Sequence, residues 1–170
     1  MIETLTLRLR AYTRRDADAL SRVLCDGETM RFWPRPFTRD EVAAWVEQSI
    51  ASYAAHGFGR YALVLKAENR LIGDCGILRM AVDGEEANDL GCIIPRAYQG
   101  RGLAAEAATA LVRHAFKTVG LDSLHANVPA DHVASQKVAE KIGMTRVKIF
   151  ANPRNRNLPT YLYVLRRPSA

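Results

Sequence analysis

The chain predicts a mixed α/β domain of the α+β kind: a central, mostly antiparallel mixed sheet of about seven strands flanked by about four helices. Three observations predict it. First, three strand patterns follow one another directly, at 60–67, 71–80 and 88–94. They are joined by the polar turns Glu68-Asn69 and Asp83-Gly84-Glu85-Glu86, so they form an antiparallel meander. Second, a turn punctuated by Gly100 and Gly102 leads into Leu103, Ala104, Ala107, Ala108, Leu111, Val112, Ala115 and Phe116. These apolar positions recur at helical spacing and make one face of a helix that ends near Gly120. Third, strand and helix patterns alternate afterwards, at 124–128, 131–142 and 144–150, with a closing strand at 160–165.

Each remaining element follows from local chemistry. Leu5, Leu7 and Leu9 alternate with Thr6, Arg8 and Arg10, which reads as a half-buried strand. Thr13-Arg14-Arg15-Asp16 is a capping box that opens a helix through about Leu24. Arg31-Phe32-Trp33-Pro34-Arg35-Pro36-Phe37 is a loop stiffened by two prolines. Thr38-Arg39-Asp40-Glu41 is a second capping box, and its helix turns Val42, Trp45, Val46 and Ile50 inward before ending near His56-Gly57. Asp131 is the expected N-cap of the helix that runs to Ile142, with Gly143 as its stop. The arginine-rich loop Asn152–Asn157 separates the last two strands. No repeat, linker or low-complexity segment interrupts the pattern, so residues 1–170 read as a single domain.

Composition narrows the function classes. The chain has 170 residues, 48% hydrophobic and 25% charged, which suits a globular domain with a proper core. No apolar run approaches the ~20 residues that cross a membrane. Met1-Ile2-Glu3-Thr4 lacks the basic start and apolar stretch of a secretory leader, so the expected location is the cytoplasm. Cys25, Cys75 and Cys92 stand far apart and read as buried thiols rather than as a disulfide framework or a metal site. The net charge of +6 admits nucleic acid, membrane surfaces or an anionic small-molecule partner. No helix carries a long basic stripe, which disfavours nucleic acid as the main partner. His56, His114 and His125 show no partner spacing and read as structural.

The richest stretch is Gln99-Gly100-Arg101-Gly102-Leu103-Ala104. The first N–H groups of a helix lack internal partners, and the helix dipole favours negative charge there. Glycines let a phosphate approach that backbone closely. Gly100-Arg101-Gly102-Leu103-Ala104-Ala105 also satisfies the loose dinucleotide fingerprint, with Asp122 about 20 residues on. Two details oppose that reading. Arg96-Ala97-Tyr98-Gln99 intervene where the dinucleotide fold needs an immediate turn, and Asp122 precedes its strand instead of ending it. No Gly-Lys-Ser/Thr follows, so the nucleoside-triphosphate loop fails as well. A glycine turn that merely permits close packing is the bland alternative.

A second block follows: Asp131-His132-Val133-Ala134-Ser135-Gln136-Lys137-Val138-Ala139-Glu140-Lys141-Ile142-Gly143-Met144. Together the two blocks resemble the GNAT acetyltransferases, in the branch of the ribosomal-protein N-terminal acetyltransferases. The family's Gln/Arg-x-x-Gly-x-Gly/Ala signature is matched by Gln99, Gly102 and Ala104. Its Asn-x-x-Ser … Glu-Lys-x-Gly-Phe block is matched by Ser135, Glu140, Lys141 and Gly143, with Met144 for Phe and His132 for Asn. Leu5–Arg10, Asp16-Ala17 and Leu71-Ile72-Gly73 extend the likeness over nearly the whole chain. Gln99 also sits where the branch often carries Trp.

The resemblance implies a GNAT-like domain whose middle strands splay apart, with acetyl-CoA as co-substrate and no metal. It implies a pyrophosphate seat on the amides of Gly100, Arg101, Gly102, Leu103, Ala104 and Ala105. It further implies strand-like pairing of the pantetheine arm with Cys92, Ile93 and Ile94, contact from His132, and phosphate contact from Lys137 or Arg101. Asp89, where the branch often has Glu, is the implied base that strips the acceptor ammonium. A turn-ending role is an equal alternative for it. Ser135 is the implied donor to the leaving thiolate, ranked above Tyr161 and Tyr163, with a helix-capping role as its rival. The N–H of Ile93 is implied to polarise the thioester carbonyl. Phe32, Trp33 and Phe37 could line the acceptor pocket, with Arg31 or Arg35 addressing an anionic acceptor, or they could form a packed loop. The implied reaction is direct acetyl transfer to a primary amine, on a protein N-terminus or a small molecule, by a monomer or homodimer. A non-catalytic acyl-CoA sensor and a ribosome- or RNA-associated basic module are the competing classes. Turnover with an amine panel separates the first, and RNA binding that CoA fails to displace separates the second.

Overall fold

Eight strands form one sheet in the computed structural model, which describes residues 1–82 and 84–168. They are β1 (Ile2–Glu3), β2 (Leu7–Arg10), β3 (Arg60–Leu65), β4 (Arg70–Val82), β5 (Glu85–Ile93), β6 (Ser123–Pro129), β7 (Thr145–Asn152) and β8 (Leu158–Arg166). The spatial order is β1-β2-β3-β4-β5-β6-β8-β7. Every neighbouring pair is antiparallel except β5–β6, which is parallel. The strand beyond the expected seven is β1, whose two residues pair Ile2 with Leu9 and Glu3 with Arg8. So short a segment has no periodicity to read. Asp83 of the expected polar turn lies outside the described residues.

Four α-helices complete the described fold: α1 (Ala17–Leu24), α2 (Arg39–His56), α3 (Leu103–His114) and α4 (Val133–Lys141). Both capping boxes form. Asp16 Oδ2 accepts from the Thr13 amide at 2.8 Å, and Thr38 Oγ1 accepts from the Glu41 amide at 3.2 Å. Asp16 also takes a bidentate pair from Arg10, so this cap ties α1 to β2. A π-helical turn, Ala115–Val119, extends α3 to Gly120. At α4 the cap shifts by one residue: His132, not Asp131, holds the N-cap position, and no side chain bonds there.

Strand alternation divides the core. Leu7, Leu9, Leu63 and Ile77 pack on one face against Ala107, Ala108 and Leu111 of α3. Ala62 and Ile93 point to the other face, beneath Leu20 and Leu24 of α1 and Val42 and Val46 of α2. Both faces are therefore covered, which is why every residue of β3 is buried. A charged cluster lies inside: Arg60 and Asp74 are 2% and 0% exposed and form an ion pair. Asp74 Oδ1 also accepts from the Tyr12 hydroxyl at 2.6 Å and from Trp45 Nε1 at 3.2 Å.

One cysteine expectation is corrected. Cys75 and Cys92 are directly opposite in the β4–β5 ladder, their Cα atoms 4.1 Å apart, and are joined as a disulfide; Cys25 is free. Seventeen residues of sequence separation hide a pairing that strand register creates. No helix among the described residues is long and apolar enough to cross a membrane.

Candidate active site

The site begins where the sheet parts. β5 pairs with β4 from Val82↔Glu85 to Asp74↔Ile93. It meets β6 in register at one position, Asp89↔His125. Among the described residues, the edge of β5 from Leu90 to Ile93 that faces β6 has no strand partner. An open edge of this kind accepts an extended ligand through backbone hydrogen bonds. Ile94, expected to share this edge, lies just past the strand's end.

Beyond β5 the chain turns at Arg96–Tyr98 and enters the glycine loop. Gln99 Nε2 donates to the Ile94 carbonyl at 2.8 Å, so its side chain staples the loop to the end of the strand. Gly100 and Gly102 take φ of 73° and 78°, in the left-handed region that glycine alone enters cheaply. A Cβ at either position would meet nothing within 4 Å, so the approach to this backbone is open. Gly102 is the N-cap of α3, and its carbonyl takes the first helical bond, from Glu106 N at 3.0 Å. The amides of Leu103, Ala104 and Ala105 precede that bond and have no helical acceptor. Buried Leu103 and Ala105 anchor the turn. The Arg101 guanidinium lies over the Tyr98 ring, 5.6 Å from its centroid.

Asp89 sits at the parting. Its Oδ1 accepts from the backbone amide of Asn127 at 3.0 Å and from Asn127 Nδ2 at 2.7 Å, across the gap between β5 and β6. The bland reading, a turn-ending Asp89, is therefore not what the fold uses. Its side chain is half-buried, and burial pushes the carboxyl up to about 6; the Arg60 charge, the Asn127 hydrogen bonds and Arg154 pull it back. Desolvation outweighs these three because a carboxylate leaving water loses more than modest polar contacts return. Asn127 escaped the sequence reading. It lies on the polar phase of the β6 alternation, with Ser123 and His125, so no local signal set it apart. Its Oδ1 is buried without a partner among the described residues.

On the other side of the parting, His132 stacks on Phe32 with centroids 3.7 Å apart and planes 10° from parallel. The Arg31 guanidinium lies 4.9 Å from the same Phe32 ring. Burial, then the Arg31 charge, push His132 down to about 4, so its ring is neutral at ordinary pH. Asn155, buried in the Arg-rich loop, donates from Nδ2 to the Phe32 carbonyl at 2.7 Å. Two loops distant in sequence thus meet beside the second block. Trp33 does not join them; it packs edge-on against Phe37 and Trp45, with centroids 5.7 and 6.1 Å away. Arg35 is engaged by Glu41 at 2.6 and 2.8 Å and is not directed at the site.

Ser135 lies half-buried in the first turn of α4, its amide bonded to the His132 carbonyl at 3.1 Å. Lys137 is exposed on the same helix. Tyr163 is buried and donates to Glu140 at 3.2 Å, while Tyr161 lies beneath Arg146. Among the described residues no cluster of three or more His, Cys, Asp or Glu could hold a metal ion.

A covered mixed sheet, parted beside an amide-lined helix start, has the form of an acetyltransferase domain. Residues 6–145 match the family described as Acetyltransferase (GNAT) domain, and the chain belongs to that family. It is 29% identical to the uncharacterised N-acetyltransferase YnaD of Bacillus subtilis (strain 168) over 150 residues, covering 88% of this chain and 85% of that protein. A GNAT-family acetyltransferase structure from Bacillus anthracis superposes with a TM-score of 0.81 at 25% identity, covering 97% of each chain. RimL, a ribosomal alpha-N-protein acetyltransferase in complex with coenzyme A, shares the fold with a TM-score of 0.79 at 17% identity, covering 96% of this chain and 95% of its own.

Proposed function

We propose that this acetyltransferase uses acetyl-CoA and moves the acetyl group directly to a primary amine, with Asp89 as the base. The observation that carries the reading is the parting itself: an open β5 edge runs from an amide-lined helix start to a half-buried carboxyl. The residues suit the co-substrate. The cradle at Gly100 and Gly102 is open, the α3 amides are unpaired, and the edge of Cys92 and Ile93 matches an extended pantetheine arm. Bound there, acetyl-CoA supplies the activated acyl group.

The chain's own residues do the rest. An amine reaches the site mostly as ammonium, since an unperturbed lysine titrates near about 10.4. Asp89 Oδ1 is occupied by Asn127, which leaves Oδ2 to take the ammonium proton, directly or through water. Ser135 donates to the departing sulfur, whereas the N–H of Ile93 faces Asp74 in the β4–β5 ladder and is not free to polarise the thioester carbonyl. His132, neutral and stacked on Phe32, walls the site in the place of the family's asparagine. The RimL complex with coenzyme A supports the choice of co-substrate.

Gly102→Glu tests the seat. Bulk and like charge at the start of α3 should abolish acetyl-CoA binding in calorimetry, while circular dichroism stays native. Undiminished affinity would refute the assignment. A thiol-release screen over amines and N-terminal peptides tests the activity.

A further inference from the structure

Two loops that meet at the Phe32 carbonyl each carry an arginine, one beside His132 and one beside Asp89. The Arg31 guanidinium lies 4.9 Å from the centroid of the Phe32 ring that stacks on His132. Arg154 is chain neighbour to Asn155, which ties its loop to the Phe32 carbonyl at 2.7 Å. Both guanidinium groups are on exposed residues and make no ion pair among the described residues. By contrast Arg35, on the same loop as Arg31, is held by Glu41. The charge of Arg154 reaches Asp89, and that of Arg31 reaches His132. Asp131 is the acidic group that opposes Arg31 at His132. The entrance is thus biased positive, and such a field opposes an ammonium ion that arrives alone.

Resting on the acetyltransferase reading, we propose that the acceptor is a primary amine bearing a carboxylate or phosphate a few bonds from its nitrogen, held by Arg31 and Arg154. The anion offsets the entrance charge, and a guanidinium fork matches its oxygens. The transfer balances: the ammonium gives one proton to Asp89, the C–N bond forms as the C–S bond breaks, and the second amine proton ends on the departing thiolate, which leaves as the free thiol.

The test pairs short ω-amino carboxylates with amino alcohols of equal length, whose amines titrate alike, and reads thiol release from acetyl-CoA. The acids should show at least tenfold higher kcat/KM at one chain length. Arg154→Glu and Arg31→Glu should erase or invert that preference while acetyl-CoA affinity holds. A tripeptide with an acidic second residue tells a peptide terminus from a small acid as the source of the anion. Equal rates for acid and alcohol, or a preference unmoved by both substitutions, overturns the proposal. If no amine reacts although acetyl-CoA binds, the acetyltransferase reading fails instead. Calorimetry with the N-acetylated acids and alcohols then still decides the charge preference: selective binding of the acids, lost in Arg154→Glu, supports it, and equal binding overturns it.

Discussion

Asp89 and His132 are displaced from their ordinary titration ranges by the same cause. Burial favours the neutral form of each, raising the carboxyl to about 6 and lowering the imidazole to about 4. For a base that works as a carboxylate, kcat/KM should fall away on the acid side with a midpoint near pH 6. Asp89→Asn should lower turnover by about a hundredfold or more and remove that limb. The stability consequence has the opposite sign. Between about pH 4 and 6 the unfolded chain has released this proton and the folded chain retains it, so stability falls as pH rises and the whole cost persists above 6. Asp89→Asn removes the cost and should raise the unfolding free energy at pH 7.5 by about 1–2 kcal/mol in urea titrations. Lost activity with unchanged or lowered stability would contradict the desolvation account.

The element that matters most is the turn into α3. Its shape depends on two glycines at positive φ and on one side chain, Gln99, clasping the Ile94 carbonyl. The glycine spacing was readable because helix-start amides and permissive backbone are local properties. The bracing role of Gln99 was not: the family signature implies that it belongs to the cofactor loop, and the structure adds a side-chain bond that ties the turn to the end of β5. Gln99→Leu removes one hydrogen bond of about 1 kcal/mol, so it should lower the melting temperature by only a few degrees while weakening acetyl-CoA binding several-fold by calorimetry. Lost stability with unchanged affinity would mean that the clasp serves the fold rather than the seat. The start of α4 shows the opposite case. Asp131 had the chemistry of a cap, but His132 holds the N-cap position and its ring stacks on Phe32.

Across the molecule, the buried Arg60–Asp74 pair joins β3 to β4 and, through Tyr12 and Trp45, to the segment before α1 and to α2. Asp74 is fully buried, so its removal strands a guanidinium without a counter-charge. Asp74→Ala should cost about 3–5 kcal/mol in chemical denaturation, whereas replacing both partners with apolar residues of similar volume should recover much of it. Neither residue stood out in the sequence, because an ion pair fourteen positions apart is visible only once the β3–β4 register is known. The same holds for Cys75 and Cys92, for Asn127 beside Asp89, and for Asn155 beneath Phe32.

What the chain declared unaided was everything carried by local pattern: the meander, both capping boxes, the helix after the glycine turn, and the two blocks that mark an acetyltransferase. Periodicity, capping and backbone freedom act within a few residues, so they survive in the linear text. What only the folded chain decided was juxtaposition: where the sheet parts, which oxygen of Asp89 stays unoccupied, and which loops meet at Phe32. Those depend on strand order and register, which bring positions as far apart as Phe32 and Asn155 within hydrogen-bonding distance.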